Sequence, residues 1–310
     1  MPVTEVTRIS HESSQWDDAF YAFLAEKERR SGSLRTVQSY SRMLQAFFAE
    51  FEKSPDRVSA QDVFGFAHGI GLSGNRPSAV TVGARIACLS SFFRFLIRMG
   101  LLVGNPCEAL ERPKTVPGVP KGMSADDIQK LLTVLPDSPS GLRDRAIILT
   151  LTFTARRRAE VMGLKAGNLS RDGETIQYVY RGKGGKTGKR ELPRPAYDAI
   201  VTALAAWGKD LAVMKSDESL WPSASNPRGL TSGTFYGNLR RYLLKAGLPL
   251  AGVHVFRHSA AKLRRDVGES IEDVSRFLDH SSLAVTSVYL RRLEGQADLG
   301  WAKVAAAIGM

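Results

Sequence analysis

Residues 254–289 read HVFRHSAAKLRRDVGESIEDVSRFLDHSSLAVTSVY, and the rest of the chain is organised around them. His254 and Arg257 stand three apart, which on a helix places both on one face. A first helix runs from here into Gly268. Ser270 and Asp273 start a second over Val274, Phe277 and Leu278, and Ser281 or Ser282 starts a third that carries Tyr289. His280 falls in the break between them, nine residues before Tyr289. Arginine forks onto phosphate oxygens, histidine donates or shuttles a proton, and tyrosine can attack covalently. Together they suit a phosphoryl-transfer site with no evident metal ligands. A helical His-x-x-Arg also arises by chance, and one tyrosine on an amphipathic helix is commonly a core residue. The reading therefore depends on what the remainder supplies.

Immediately upstream, Thr231–Ala246 reads as a basic helix in which Arg240, Arg241 and Lys245 interleave with Tyr236 and Tyr242, a pattern that suits contact with a DNA backbone or a solvated face. Residues 196–214 read as an Ala-rich helix. Before it, Thr175–Tyr180 is β-rich, and the turn RGKGGKTGK and the segment RELP complete a β-hairpin with a glycine-rich basic tip. From Arg156 to Arg190 ten Lys and Arg face three Asp and Glu. A phosphate loop would need Gly at 183 and Ser or Thr at 190; Lys and Arg stand there, and the run leads into a strand, which excludes nucleotide binding of that kind. Ser124 caps a helix over Ile128 and Leu131. A longer apolar helix from about Leu142 ends in TARRRAEV, where a guanidinium held at the end of a buried helix makes a rigid phosphate ligand.

Asn105-Pro106 and the Pro- and Gly-containing run that follows mark a linker over 106–121. Ahead of it, a polar tail (1–15) leads into a helical region, 16–105. Ser33 caps one helix there, Ser59 and Asp62 form a capping box for another, and a last helix with Ile86, Leu89, Phe92, Phe93 and Leu96 on one side stops at Gly100. Arg85, Arg94 and Arg98 lie on its other side, either solvated or placed for phosphates. The expected fold is mainly α with a small antiparallel β-sheet, in two domains: a helical one over 16–105 and a second over 122–310.

The 310 residues carry a net charge of +12 and a pI near 9.8, which favours a polyanionic partner, nucleic acid ahead of a membrane surface. Cys88 and Cys107 make no disulfide framework, and no Cys/His spacing resembles a zinc site. The start lacks the pattern of a signal peptide, and the apolar run around Ala146–Ala155 is too short and Thr-rich to span a bilayer. The expected setting is the cytoplasm, in association with the nucleoid and not with a membrane.

With TARRRAEV, the RGKGGK hairpin, HVFRH, LDHSS and Tyr289 in order along one domain, the chain resembles the tyrosine recombinase (phage integrase) family over nearly its whole length, which implies a DNA-binding core-binding domain over 16–105 and a catalytic domain over 122–310. The family's T-G-x-R-x-x-E-L falls on 154–161, so the resemblance implies that Arg157 is the first catalytic arginine and Glu160 its supporting acid, with Arg156 and Arg158 not catalytic. The family's hairpin lysine matches Lys183, its H-x-x-R box His254 and Arg257, the histidine of L-G-H-S matches His280, and the nucleophile Tyr289. His258 is expected to be structural. Ala155 and Asp279 depart from the pattern by standing where Gly is usual. A Gly before the histidine suggests a left-handed helix cap, which Asp tolerates better than most residues. The Asp279 carboxylate is expected to act on the pKa of His280 or on DNA binding. The resemblance further implies strand cleavage and rejoining through a 3′-phosphotyrosyl bond without metal, ATP or other cofactor, on a double-stranded DNA site, in a homotetramer, with possible accessory proteins. The C-terminal segment Ala302–Ile308 would dock on a neighbouring protomer or remain a frayed tail. Type IB topoisomerase activity, or a non-catalytic DNA-binding role on the same fold, are the alternatives.

Overall fold

The computed structural model describes residues 15–71, 74–114, 122–182, 185 and 187–279. The chain divides into two compact units, 1–117 and 118–310.

The first unit holds four α-helices: α1 (Gln15–Ser31), α2 (Leu34–Phe51), α3 (Ala60–His68) and α4 (Ala79–Arg98). Local chemistry sets their starts. Ser33 and Ser78 accept N–H bonds from Thr36 and Thr81, and Ser59 and Asp62 form a reciprocal capping box. What holds them together is aromatic burial. Phe23 meets Phe92 at 5.2 Å between ring centroids, and Phe47 meets Phe66 at the same distance. By length and apolar content α4 could cross a membrane, yet Ile86, Leu89, Phe92, Phe93 and Leu96 are buried in this core. The start of the expected linker also lies here: Asn105, just ahead of it, donates its amide to Ser90 Oγ at 3.1 Å, and Cys107 is buried in the same cluster.

The second unit runs α5 (Ala125–Thr133), α6 (Pro139–Thr154), α7 (Arg158–Met162), β1 (Leu169–Asp172), β2 (Thr175–Arg181), β3 (Thr187–Glu191), α8 (Arg194–Ala206), α9 (Ser232–Lys245), α10 (Val255–Asp266) and α11 (Ile271–Phe277). The strands form one antiparallel sheet in the order β1-β2-β3, with Tyr180 opposite Gly188 and Tyr178 opposite Arg190. Ile176, Tyr178 and Tyr180 alternate along β2 and bury one face of the sheet. A Cβ at Gly188 would collide with the Tyr180 ring, so glycine there lets that ring lie across β3.

The apolar helix ends within TARRRAEV as expected: Ala155 turns left-handed at φ +50° and closes α6 at Thr154, and Arg157 caps the separate short helix α7. Two elements differ from the sequence reading. The helix expected over 196–214 ends at Ala206, because Gly208 adopts φ +65° and the Lys209 N–H returns to Leu204 O at 2.9 Å. Strand β1 was not expected; its sequence, LSRD, is mostly exposed and shows no apolar alternation.

Buried polar bonds tie α6 to its neighbours. The wholly buried Asp144 accepts from Arg143 Nε and Nη2 at 3.0 and 2.9 Å, from Asn238 Nδ2 at 2.8 Å and from the Tyr242 hydroxyl at 3.0 Å. Arg143 also donates to Pro222 O at 2.8 Å, which draws α6, α9 and the 222 loop together. The unit's opening is fixed to α10 by the Met123 N–H, which donates to Ser259 Oγ at 2.7 Å.

Candidate active site

Two left-handed turns, at Ala155 and Asp279, frame the site (φ +50° and +51°). They are the positions at which the recombinase pattern has glycine. Ala155 is wholly buried and packs with Ala260, Ala261, Val274 and Leu278, where small side chains let α10 approach both turns.

Directly after the first turn, Arg157 is held by Glu160. One carboxylate oxygen accepts the Arg157 backbone N–H at 2.8 Å and the other its Nη1 at 2.9 Å. Glu160 is buried while the Arg157 side chain is 43% exposed, so the acid anchors the arginine from behind and leaves its outer edge facing solvent. Arg257, in the first turn of α10, is buried and spans the two turns. Its Nη1 donates to Ala155 O at 2.7 Å and its Nη2 to Leu278 O. His254 caps α10. Desolvation, followed by the charges of Arg257 and Arg157, lowers its pKa, although part of the ring stays open to solvent. The His258 ring stands edge-on to it at 4.8 Å, and burial, His254 and Arg257 together take its pKa down to about 4. Both imidazoles are therefore neutral at pH 7. A neutral imidazole beside two oriented guanidinium groups can accept a proton while the arginines hold an anionic oxygen.

Arg156 is not solvated. It is buried, stacks over the Tyr180 ring at 4.7 Å, and donates to the Tyr180 hydroxyl at 2.8 Å, to Thr154 O at 3.1 Å, to Phe277 O and to the Asp279 carboxylate. Asp279 also accepts from the Tyr180 hydroxyl and, at 2.5 Å, from Arg190 Nη2. Arg190 reaches Arg276 O as well, at 3.1 Å. The last carbonyls of α11 are thus taken up by three arginines: Arg276 O by Arg190, Phe277 O by Arg156 and Leu278 O by Arg257. Cations at the negative end of a helix dipole are favourably placed.

Burial alone would raise the Asp279 pKa, but the Tyr180 bond and the charges and bonds of Arg156 and Arg190 outweigh it and leave the carboxyl below its ordinary value. The sign follows from linkage. A depressed folded pKa gives stability that is complete above about pH 4 and is lost as pH falls through the folded value. The stability difference between the protein and its Asp279→Asn variant is therefore expected to be constant near neutral pH and to shrink below about pH 4, by urea unfolding at a series of pH values.

Arg157, Glu160, His254 and Arg257 are thus brought together, whereas Lys183, His280 and Tyr289 lie outside the described residues, as do the third helix of the opening stretch and Ala302–Ile308. The cations expected at DNA are more varied. Arg85 works within the fold, donating to Phe66 O at 2.7 Å and Gly69 O at 2.8 Å and so closing the end of α3. Arg98 pairs with Glu26 at 3.1 Å, Arg241 donates to Asn238 Oδ1, and Lys245 reaches Val134 O at 3.2 Å. Arg94 is exposed and lines a cavity of about 360 Å³ with Lys27, Arg30, Arg98 and Arg112. Arg240 is exposed, 6.0 Å from the centre of the Tyr236 ring. Lys27, Arg30 and Arg112 were missed as part of this basic group, because α1 and the segment after α4 lie far apart in sequence.

A helical catalytic unit with a small sheet and an arginine cluster oriented by carbonyls and carboxylates defines a class built to handle anionic, phosphate-like groups. Comparison with known proteins is specific. Residues 121–295 match the phage integrase family, and residues 18–100 match the phage integrase N-terminal SAM-like domain. The chain belongs to the phage integrase family, the tyrosine recombinases, enzymes that cleave and rejoin DNA strands. It is 29% identical over 284 residues to the tyrosine recombinase XerC of Alcanivorax borkumensis, covering 90% of each chain. With the tyrosine recombinase XerD of Rhizobium meliloti it shares 28% over 297 residues, covering 91% of this chain and 92% of that one. The fold is also that of a lambda integrase dimer bound to a COC′ core site (TM-score 0.66, 18% identity, 90% of this chain and 79% of that one). The XerH site-specific recombinase bound to a palindromic difH substrate has it too (TM-score 0.64, 18% identity, 97% and 91%).

Proposed function

We propose that the chain is a site-specific recombinase that exchanges DNA strands through a covalent tyrosine intermediate. The observation that carries this reading is the pair of oriented arginines, Arg157 on Glu160 and Arg257 across the two left-handed turns, with neutral His254 beside them. In the proposed step, a bond forms between Tyr289 Oη and the scissile phosphorus, and the bond from phosphorus to the 5′-oxygen breaks. The tyrosine proton passes to a histidine, His254 or His280, and Lys183 protonates the leaving 5′-oxygen. Arg157 and Arg257 neutralise the non-bridging oxygens as charge builds there. A 5′-hydroxyl from the partner strand then attacks the phosphotyrosine and reverses the step. One phosphodiester is exchanged for another without loss of bond energy, so the chemistry needs no ATP and no added cofactor. The partner is a double-stranded recombination site, on which four copies assemble across two duplexes, with accessory proteins where the site requires them. Arg94 and Arg240, with the basic group around Lys27 and Arg112, contribute backbone contacts.

The test is a suicide-substrate assay in EDTA. Purified protein and its Tyr289→Phe variant are incubated with nicked duplexes from the neighbourhood of its gene, and denaturing gels are read for a covalent protein–DNA band. The expected result is a band with the native chain that is absent with Tyr289→Phe. Tight duplex binding without a band on any substrate would instead support a non-catalytic DNA-binding role.

A further inference from the structure

We propose that Asp279 is a positioning residue for cleavage: one carboxylate, shared by Arg156, Tyr180 and Arg190, locks together the three elements on which the catalytic groups are mounted. The inference rests on the recombinase reading and adds a part that the family motif does not contain.

Asp279 immediately precedes His280, at the end of α11. Tyr180 and Arg190 lie on β2 and β3, the two strands joined by residues 182–186, the segment that includes Lys183. Arg156 immediately precedes Arg157 in the turn between α6 and α7. A single side chain is thus bonded to both strands that lead to the lysine, to the turn that presents the first arginine, and to its own turn ahead of the histidine. Where glycine stands at the equivalent place, as in the recombinase pattern, no side chain exists to make these bonds. The second partner is equally particular. Arg156 occupies the variable position of T-G-x-R, is buried, and has its charge met by Asp279. Gly188 completes the set by leaving room for the Tyr180 ring, whose hydroxyl completes the contact. Five residues from three separate segments are therefore matched to one another. A buried guanidinium facing a carboxylate, a phenol and a carbonyl keeps a fixed geometry, because any departure leaves charge unpaired in a desolvated place.

The alternative is that Asp279 only neutralises Arg156 and has no bearing on the chemistry. Two variants of the full chain separate these. Asp279→Gly restores the residue best suited to a left-handed turn but removes the carboxylate. The double variant Arg156→Leu with Asp279→Gly leaves no buried guanidinium unpaired, since Arg190, which also loses the carboxylate, is 44% exposed, so a folding defect of the single variant is relieved. Each is compared with the native chain in single-turnover cleavage of the suicide duplex at saturating protein. One substrate carries the normal 5′-oxygen leaving group and the other a 5′-bridging sulfur, which departs without protonation and so does not depend on Lys183.

Both variants are expected to cleave the oxygen substrate roughly 10- to 100-fold more slowly, the scale of a catalytic group displaced by about 1 Å. Duplex affinity should stay within about twofold, because many other cations hold the backbone. Much of the lost rate should return on the sulfur substrate. Native rates in the double variant would overturn the positioning role, whereas equal losses on both substrates would place its effect on the Arg157 turn or the histidine and not on the lysine. No covalent product from the native chain on either substrate would overturn the recombinase reading and the positioning role with it.

Discussion

Replacing Arg157 by alanine is expected to abolish strand transfer while leaving duplex binding largely intact. Glu160 spends both oxygens on this residue and is itself buried, so the guanidinium is fixed before substrate arrives. Preorganised donors of that kind act where charge develops in the transition state, and removing one costs about 3 kcal/mol, roughly 10²- to 10³-fold in rate. Ground-state binding is spread over many cations on a chain of net charge +12, and one contact among many changes it little. Single-turnover cleavage and a gel-shift titration on the same duplex separate the two quantities. Arg157→Lys is expected to recover little, since an ammonium cannot reproduce the fork that faces Glu160 on one side and phosphate on the other. Recombination at the native rate by Arg157→Ala would refute the assignment.

The largest effect on stability is expected at Asp144. It is wholly buried and receives Arg143, Asn238 and Tyr242. Asp144→Ala leaves the buried Arg143 guanidinium without its counter-charge, and breaking such a pair from one side costs about 3–5 kcal/mol. Urea unfolding of the full chain is the measurement. Only the transition of the 118–310 unit should move, because Asp144 and its bonded partners all lie in that unit. An unchanged midpoint would mean that water or rearranged carbonyls compensate the charge.

Short-range chemistry was the readable part of this chain. Ser33, Ser59, Ser124 and Ser270 could be recognised as caps because their partners lie three residues on. The β2–β3 pairing was equally local, and the glycine pattern around Ala155 and Asp279 carried enough information to expect a left-handed turn at the second of them. Side-chain partnerships across long separations were not readable. Nothing in TARRRAEV says that Arg156 will turn inward to a carboxylate 123 residues away, and three consecutive arginines look alike until the fold buries one of them. Arg85 shows the converse: its position on the outer side of α4 suggested a phosphate ligand, whereas carbonyls at the end of α3, 16 to 19 residues back, take it up. Lys183, His280 and Tyr289 rest on the order and spacing of motifs alone.

The capping of α11 by three arginines also bears on how the molecule is made. Arg190 reaches back from 86 residues away, Arg257 from 21 and Arg156 from 121, so the carbonyls they grip belong to almost the last part of the described chain to leave the ribosome. Closing such loops costs entropy before any contact is gained, which places them late in folding. A chain halted before residue 276 would offer these guanidinium groups no carbonyls to grip. Completion of the arginine cluster is thereby coupled to synthesis of the chain through the end of α11.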